Sequence, residues 1–143
     1  MTSSAIWAYG SILKLGNGAA TEVFSEIAEI TELKPPAMSK DAIDVTSHDS
    51  SDGYREFISG LRDGGEVTFK ANWLPNNATH DETTGLLESF NDNDLHNWEI
   101  DLPGSILTIA FSGFLTAFEP DLPLEEQAQL SGTIKVSGKP TIS

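Results

Sequence analysis

Two segments of this chain alternate strictly between apolar and polar residues, and this alternation predicts β-strands. They are residues 66–74 and 127–138. Successive side chains of a strand point to opposite faces of the sheet, so each segment has one face for a core and one for water or another surface. The apolar positions are Val67, Phe69, Ala71 and Trp73 in the first segment and Ala128, Leu130, Ile134 and Val136 in the second.

Further segments favour an all-β fold. Residues 97–102 alternate as well, while residues 105–118 are apolar on both faces, with Ile106, Phe114 and Phe118 together on one of them. A strand of the latter kind is covered on both sides, by its own chain or by a neighbour. Residues 23–33 and 38–46 are typical of two less regular strands, the first with a β-bulge. Glycines and prolines separate these segments roughly every ten residues, which favours strands over helices.

One helix and one long loop complete the predicted elements. Thr79 and Glu82 have the spacing of a capping box, and three apolar residues then share a helical face, so we expect a helix over residues 80–91. Residues 47–65 are polar, bounded by glycine, and longer than most connections in a compact domain. Such loops are usually functional, and the apolar residues of this one form either a short helical turn or an arm that packs on something else.

The charge of the chain argues against several functions. Eight Lys and Arg residues oppose 22 Asp and Glu, a formal charge of −14 over 143 residues, whereas nucleic-acid binding needs clustered cations. The same charge opposes adsorption to anionic membranes, and no apolar run has the length of a membrane span. The first residues resemble no secretory signal, so we expect a protein made in a cytoplasm.

No residue pattern indicates catalysis, a cofactor or a metal. The chain has no cysteine and no serine in a nucleophile elbow, and its adjacent carboxylates are typical of a solvated acidic face. His48, His80 and His96 lack the spacing of metal ligands, and a calcium loop starting at Asp92 lacks its central glycine and its last glutamate. We therefore expect no enzyme, no cofactor and no metal, and a structural role for His80.

One block of sequence is more specific. Residues 43–67 contain an Asp-x-Thr strand end, the loop Gly-Tyr-x-Glu-Phe-Ile-x-Gly-Leu and a Gly-Glu-Val strand start. This block resembles the central part of the tail tube (major tail) proteins of long, non-contractile-tailed bacteriophages, the siphophages. The resemblance extends to the predicted helix and the last strand, so it covers most of the chain. We expect no appended immunoglobulin-type domain.

The resemblance implies a mainly β fold, a β-sandwich or half-barrel with one flanking helix, as a single domain over residues 1–143. It implies that six copies close into a ring and that rings stack into a hollow tube, which is assembled in the host cytoplasm and delivers the genome from the virion. The implied partners are further copies of the chain, a tail-tip initiator complex, a tape measure protein and a tail terminator. DNA passes without specific binding, and an acidic wall suits this because it repels phosphates.

Two sets of residues are candidates for roles in such a tube. The long loop is expected to reach a neighbouring subunit, with its aromatic residues as anchors, because aromatic side chains dominate interface energetics. The candidate interface residues are Tyr54, Arg55, Glu56, Phe57 and Arg62. The polar face of the last strand suits either a water-filled lumen or plain solvent. The candidate lumen-lining residues are Gln127, Gln129, Ser131 and Thr133.

Other functions stay open at this point. A β-sandwich binding module, such as a tail-tip or decoration protein, needs exposed aromatic residues on one face. Trp73 and Trp98 fall on apolar strand faces, which leaves Trp7 free to be exposed or to pack at an interface. A small hydrolase lacks a nucleophile constellation. Contractile-tail tubes and the tube protein of type VI secretion are similar in fold.

Overall fold

The computed structural model describes residues 3–18, 20–81 and 85–143, and the chain is mainly β, as the sequence predicts. The strands are β1 Ile12–Gly16, β2 Phe24–Glu26, β3 Ile30–Lys34, β4 Ser39–Asp44, β5 Phe57–Asp63, β6 Glu66–Asn72, β7 His96–Asp101, β8 Thr108–Asp121 and β9 Gln129–Ile142. The described residues contain one α-helix, α1 Leu86–Asn91, and 3₁₀ turns at Ser51–Gly53 and Pro103–Ser105.

Seven of the strands form one antiparallel sheet that curls into a half-barrel. The strand order is β2-β1-β7-β8-β9-β6-β3, so β2 and β3 lie on opposite edges although only residues 27–29 separate them. Three residues span at most about 10 Å, so the two edges have to approach each other. The Ile27 N–H donates to the Leu13 carbonyl (2.8 Å) on one edge, and the Asn72 N–H donates to the Glu29 carbonyl (3.0 Å) on the other.

The prediction of one continuous strand over residues 23–33 is therefore wrong, although an irregularity of the predicted kind occurs in β3, where the register with β6 shifts between Ile30 and Glu32. The chain turns sharply between β2 and β3, where Glu29 has a φ of 55°. This is the left-handed region, which residues other than glycine seldom adopt. The out-of-phase apolar residues that suggested a bulge instead mark this turn, and Ile27 enters the core with 2% of its surface exposed.

Two side chains from the segment before α1 hold this turn in place. Thr79 Oγ1 accepts a hydrogen bond from the Ala28 N–H (3.1 Å), and His80 Nε2 lies 2.9 Å from the Ala28 carbonyl oxygen. His80 Nδ1 accepts a hydrogen bond from the Leu74 N–H (3.1 Å), so the tautomer with the proton on Nε2 satisfies both contacts. The side chain of His80 is buried, and its role is structural, as expected.

The helix is shorter than the capping box predicts. It begins at Leu86, after Gly85, and not near residue 80. Thr79 does not cap it, because its hydroxyl donates to Asn77 Oδ1 (2.7 Å) and accepts from the backbone of the β2–β3 turn. Glu82, the other half of the predicted box, lies outside the described residues.

The face of the sheet inside the curl carries the core. The buried apolar side chains are Leu13, Leu15, Ile27, Val67, Phe69, Leu86, Trp98, Ile100, Ile109, Phe111, Leu115, Leu130, Ile134 and Val136. Trp98 is fully buried, and its indole N–H donates to the Gly113 carbonyl (3.2 Å). At Gly132 a Cβ would collide with the ring of Phe69, so the glycine leaves room for that ring.

A β-bulge in β8 changes which of its side chains face the core. The register with β9 shifts between Leu115 and Ala117, and Phe118 then lies opposite Gly132 and packs against the core. The sequence places Phe118 on the same face as Phe114, and this assignment is wrong because alternation alone does not detect the inserted residue. Phe114 stays on the outer face, 41% exposed, so this part of β8 is uncovered within the subunit.

Candidate functional site

Strands β4 and β5 form a separate two-stranded sheet, the hairpin (residues 39–63), which stands out from the half-barrel. All six residues of β4 are exposed, and β5 has no buried residue. The predicted loop over residues 47–65 is thus partly wrong, because Phe57–Asp63 is a strand and the connection covers residues 45–56. An isolated two-stranded hairpin is marginally stable in water, so this one needs another surface.

The base of the hairpin is tied to β9, which fixes its direction. Lys135 Nζ lies 3.0 Å from Asp63 Oδ1, and the Val136 N–H donates to the Gly65 carbonyl (3.1 Å). The Gly65 N–H donates to Asp63 Oδ1 (2.8 Å), and this bond, together with Lys135, lowers the pKa of the Asp63 carboxyl. Gly65 has a φ of 78°, and a Cβ there would collide with the Ala37 carbonyl, so only glycine fits.

The hairpin and its base expose large apolar side chains. Each has between 43% and 85% of its surface accessible, and they follow one another along the two strands and the loop. They are Met38, Ile43, Val45, Tyr54, Phe57, Ile58 and Leu61. Soluble monomers rarely expose contiguous apolar surface of this kind, and such patches mark interaction sites.

The five residues that the sequence predicts at a subunit interface all lie on this hairpin. Tyr54 is 76% and Phe57 55% exposed, so neither ring is covered by its own domain. Glu56 accepts a hydrogen bond from a serine hydroxyl of the loop (2.8 Å) and shapes the connection. Arg55 Nη1 lies 3.8 Å from Asp44 Oδ2 with both groups in water, a contact too weak to hold the arginine in place.

The predicted lumen-lining residues lie on the outer face of the sheet. Gln129, Ser131 and Thr133 are half-buried in β9, and the register places Thr133 opposite Thr68 of β6. Gln127 precedes the strand, and its Nε2 donates to a side-chain amide oxygen of β6 (3.3 Å). The structure therefore brings these residues together as one polar surface.

Sequence reasoning missed β1 and the exposed aromatic pair before it. Trp7 and Tyr9 stack with their ring centroids 5.0 Å apart, and they are 78% and 76% exposed. Trp7 is exposed in the single subunit, so it stays available for a contact with another chain. The alternation of Leu13 and Leu15 around a lysine was a usable signal for β1, but the segment is only five residues long.

The comparison with protein families decides what kind of chain this is. A family model described as "Lambda phage tail tube protein, TTP" matches residues 7–143.

The chain belongs to the lambda phage tail tube protein family. It is a structural subunit of a phage tail tube and a component of the virion. The search of curated proteins found no match.

Solved structures show the same fold for this tail tube protein. It is similar to a chain of the virion of a native gene transfer agent particle, with a TM-score of 0.77 and 17% identity over 97% of this chain and 99% of the other. A chain from the tail of an empty gene transfer agent particle, with C6 symmetry, has a TM-score of 0.73 and 18% identity over 92% and 94%. A chain of an extracellular contractile injection system, in a sheath/tube terminator structure, has a TM-score of 0.72 and 16% identity over 100% and 99%.

Three further observations on the tail tube protein concern metal ions, membranes and carbohydrate binding. Over residues 3–18, 20–81 and 85–143, no group of three or more His, Asp or Glu side chains is placed to hold a metal ion. Nor does any helix of these residues have the length and apolar character needed to cross a membrane. Trp98 is buried and Trp73 packs against the core, so these two rings are not a carbohydrate-binding platform.

Proposed function

We propose that this protein builds the tube of a long, non-contractile phage tail, in which six copies close into a ring and rings stack into a hollow conduit for the genome. The observation that carries this proposal is the hairpin, an arm whose large apolar side chains are exposed in the described part of the subunit. The C6 symmetry of the gene transfer agent tail, whose chain shares this fold, supports six copies per ring.

The hairpin is the arm that reaches a neighbouring subunit. Tyr54 and Phe57 insert into the neighbour, since large aromatic rings give the most binding free energy when they lose water contact. Arg55 and Arg62 then meet carboxylates of the neighbour, and Glu56 holds the loop in shape. The fixed hairpin base supports this role because it aims the arm in one direction before assembly.

The polar outer face of β9 lines the lumen. Hydroxyl and amide groups such as those of Gln129, Ser131 and Thr133 hold water without gripping phosphates. The lysines of this face lie beside carboxylates, because Lys135 Nζ is 3.0 Å from Asp63 Oδ1 and the exposed Lys34 and Lys70 share Glu32 at 3.7 Å. With a chain charge of −14, the wall repels DNA, which passes without specific binding.

The subunit acts without catalysis and with other tail components. Polymerisation begins on a tail-tip initiator complex in the host cytoplasm, the tape measure protein sets the length, and a terminator ends the tube. Length cannot be encoded in a subunit that repeats identically, so a separate measuring component has to supply it.

Electron microscopy of the purified protein tests the proposal. We expect rings or tubes with a central hole across a concentration series, or on addition of tail-tip complexes if the free subunit awaits its initiator. Tyr54→Ala combined with Phe57→Ala should leave a folded subunit that cannot polymerise. Leu95→Ala, at an exposed apolar residue away from the hairpin, is the matched control and should assemble normally. A wild-type chain that never polymerises, even with tail-tip complexes, contradicts the proposal.

A further inference from the structure

A groove of about 1010 Å³ runs between the hairpin and the end of β9. Its floor and walls include apolar and basic side chains from both elements. The residues that matter here are Met38, Lys40, Leu61, Arg62, Lys139 and Ile142; the lining also includes Asp63, which is paired with Lys135. Leu61 is 85% exposed and Ile142 50%, so the groove is open in the single subunit.

The groove gathers the cations that have no counter-charge. Of the eight basic residues of the chain, five form ion pairs: Lys14, Lys34, Arg55, Lys70 and Lys135. The other three, Lys40, Arg62 and Lys139, have no ion pair within the described residues, and all three line the groove. Lys40 and Arg62 even lie directly opposite each other in the hairpin register, a like-charge pair that destabilises a sheet unless an anion joins it.

The loop between β8 and β9 has the complementary chemistry. The end of β8 and the start of the loop, residues 119–126, read Glu-Pro-Asp-Leu-Pro-Leu-Glu-Glu, with acidic residues on both sides of two leucines. Leu122 is 72% exposed and Leu124 99% exposed, so both lack a partner in their own subunit. The two prolines restrict the backbone, which reduces the entropy that docking removes.

The loop and the groove lie at opposite ends of the molecule. The β8–β9 register pairs Asp121 with Gln129 beside the loop and Ile109 with Ile142 beside the groove. At about 3.3 Å per residue, the stretch of β9 from Gln129 to Lys139 spans roughly 33 Å. A subunit therefore cannot place its own loop in its own groove, and the match requires two copies in a head-to-tail arrangement.

We propose that the β8–β9 loop of one copy docks in the basic, apolar groove of a second copy. Leu122 and Leu124 cover the apolar side chains of the groove, while Glu125 and Glu126 neutralise Arg62 and Lys139. Because donor and acceptor are different surfaces, the contact is heterologous and repeats from copy to copy. It rests on the proposed self-assembly and adds to it a second contact, separate from the anchors Tyr54 and Phe57.

A charge exchange tests the contact. The groove variant Arg62→Glu with Lys139→Glu and the loop variant Glu125→Lys with Glu126→Lys should each assemble at least about tenfold less well, since like charges then meet. Mixing the two variants should restore copolymers, because each presents the complement of the other. Lys34→Glu, at an exposed cation outside the groove, and Asp94→Lys, at an exposed acid outside the loop, are the matched controls and should assemble as the wild type does.

Cross-linking gives a second readout that does not depend on the charge variants folding well. The chain has no cysteine, so single cysteines introduced at Glu126 and at Lys139 are unique labels. A short bismaleimide should join the Glu126→Cys chain to the Lys139→Cys chain as dimers in mixed tubes, and the doubly substituted chain should give a ladder. The proposed contact is wrong if the wild type forms tubes and all charge variants assemble normally. It is also wrong if tubes form without these cross-links. Either result leaves the proposed function standing. Failure of the wild type to polymerise, with or without tail-tip complexes, instead counts against the proposed function.

Discussion

Asp63 and Lys135 join the base of the hairpin to the last strand of the half-barrel, with Lys135 Nζ 3.0 Å from Asp63 Oδ1 and 3.2 Å from Asp63 Oδ2. The same carboxylate accepts the Gly65 N–H at 2.8 Å. One side chain thus closes the turn between β5 and β6 and holds it against β9. An arm that binds a neighbour is useful only if it points in a fixed direction, and this contact supplies that direction.

The Asp63 contact predicts an acid-sensitive hairpin. The Gly65 N–H, and to a lesser extent Lys135, lower the pKa of Asp63. The contact therefore stabilises the hairpin base above the ordinary carboxyl pKa, and this stabilisation is lost as pH falls through the lowered pKa. Amide exchange over residues 39–63 should accelerate, relative to intrinsic rates, below about pH 4. Asp63→Asn should show faster exchange already at pH 7. Equal protection of this variant and the wild type at both pH values contradicts the assigned role.

The Lys14–Asp101 pair joins β1 to β7 and predicts a measurable loss of stability when it is removed. Lys14 Nζ lies 2.6 Å from Asp101 Oδ2, with both side chains partly shielded, and Thr108 Oγ1 donates to Asp101 Oδ1 (2.9 Å). We expect Asp101→Asn to lower the free energy of unfolding by about 1 kcal/mol at pH 7. Urea denaturation measures this. Lys34→Ala, which breaks a more exposed pair at 3.7 Å, is the control and should change little.

The stability that the Lys14–Asp101 pair contributes should fall both at low pH and at high pH. The hydrogen bond with Asp101 raises the pKa of Lys14, and the bond with Lys14 lowers the pKa of Asp101. The contribution is therefore lost as pH falls through the lowered carboxyl pKa, and also as pH rises through the raised ammonium pKa. The difference between the wild type and Asp101→Asn should shrink as pH falls below the ordinary carboxyl pKa and through the lowered one, and a difference that stays constant contradicts the ion pair.

The turn at Glu29 predicts an unusual order of stability. Its φ of 55° strains any side chain, whereas glycine adopts it freely. Glu29→Gly and Glu29→Ala both lose the contact of Glu29 Oε1 with Asn72 Nδ2 (3.3 Å). The difference in stability between these two variants therefore reports the backbone strain at residue 29. We expect the glycine variant to be more stable than the alanine variant by about 1 kcal/mol in thermal or urea unfolding. The reverse order is incompatible with a left-handed residue between β2 and β3.

His80 predicts a large structural effect without a functional one. Its ring joins the Ala28 carbonyl to the Leu74 N–H in the interior, and His80→Ala leaves both groups unpaired beside a cavity. The free energy of unfolding should fall by about 3 kcal/mol. His48→Ala, at an exposed loop histidine, should have no effect. If both variants unfold at the wild-type urea concentration, His80 does not hold the turn.

The lumen assignment predicts an effect on DNA passage rather than on assembly. Gln129→Lys with Thr133→Lys adds cations to the outer face of β9, where phosphates would be slowed if this face lines the channel. Tubes should form normally while genome ejection from the phage slows. Thr133→Gln alone is the uncharged control. Ejection at the wild-type rate with both lysines present means that this face does not line the channel.

Local alternation was enough to predict the strands that pack one face on the core. Val67, Phe69, Ile134 and Val136 all face inward as the period of two requires. The block around Tyr54 was specific enough to identify the family by resemblance. Both signals are local, so each is readable from a short stretch of sequence.

The features that the sequence did not reveal depend on contacts between distant segments. Strand β5 has exposed apolar residues at consecutive positions, Phe57 and Ile58, so no alternation marks it. The turn at Glu29 forms because Asn72 and His80 hold it from elsewhere in the chain. The bulge that turns Phe118 inward exists only in the pairing with β9. Contacts with a neighbouring copy are even harder to predict from a local sequence pattern.

A helical reconstruction of the assembled tube by electron cryomicroscopy tests the central claim most directly. We expect six subunits per ring, Tyr54 and Phe57 buried against a neighbouring subunit, and Gln129, Ser131 and Thr133 facing the lumen. A tube in which the hairpin remains in solvent on every subunit, with the outer face of β9 turned away from the channel, would contradict the assembly proposed for this chain.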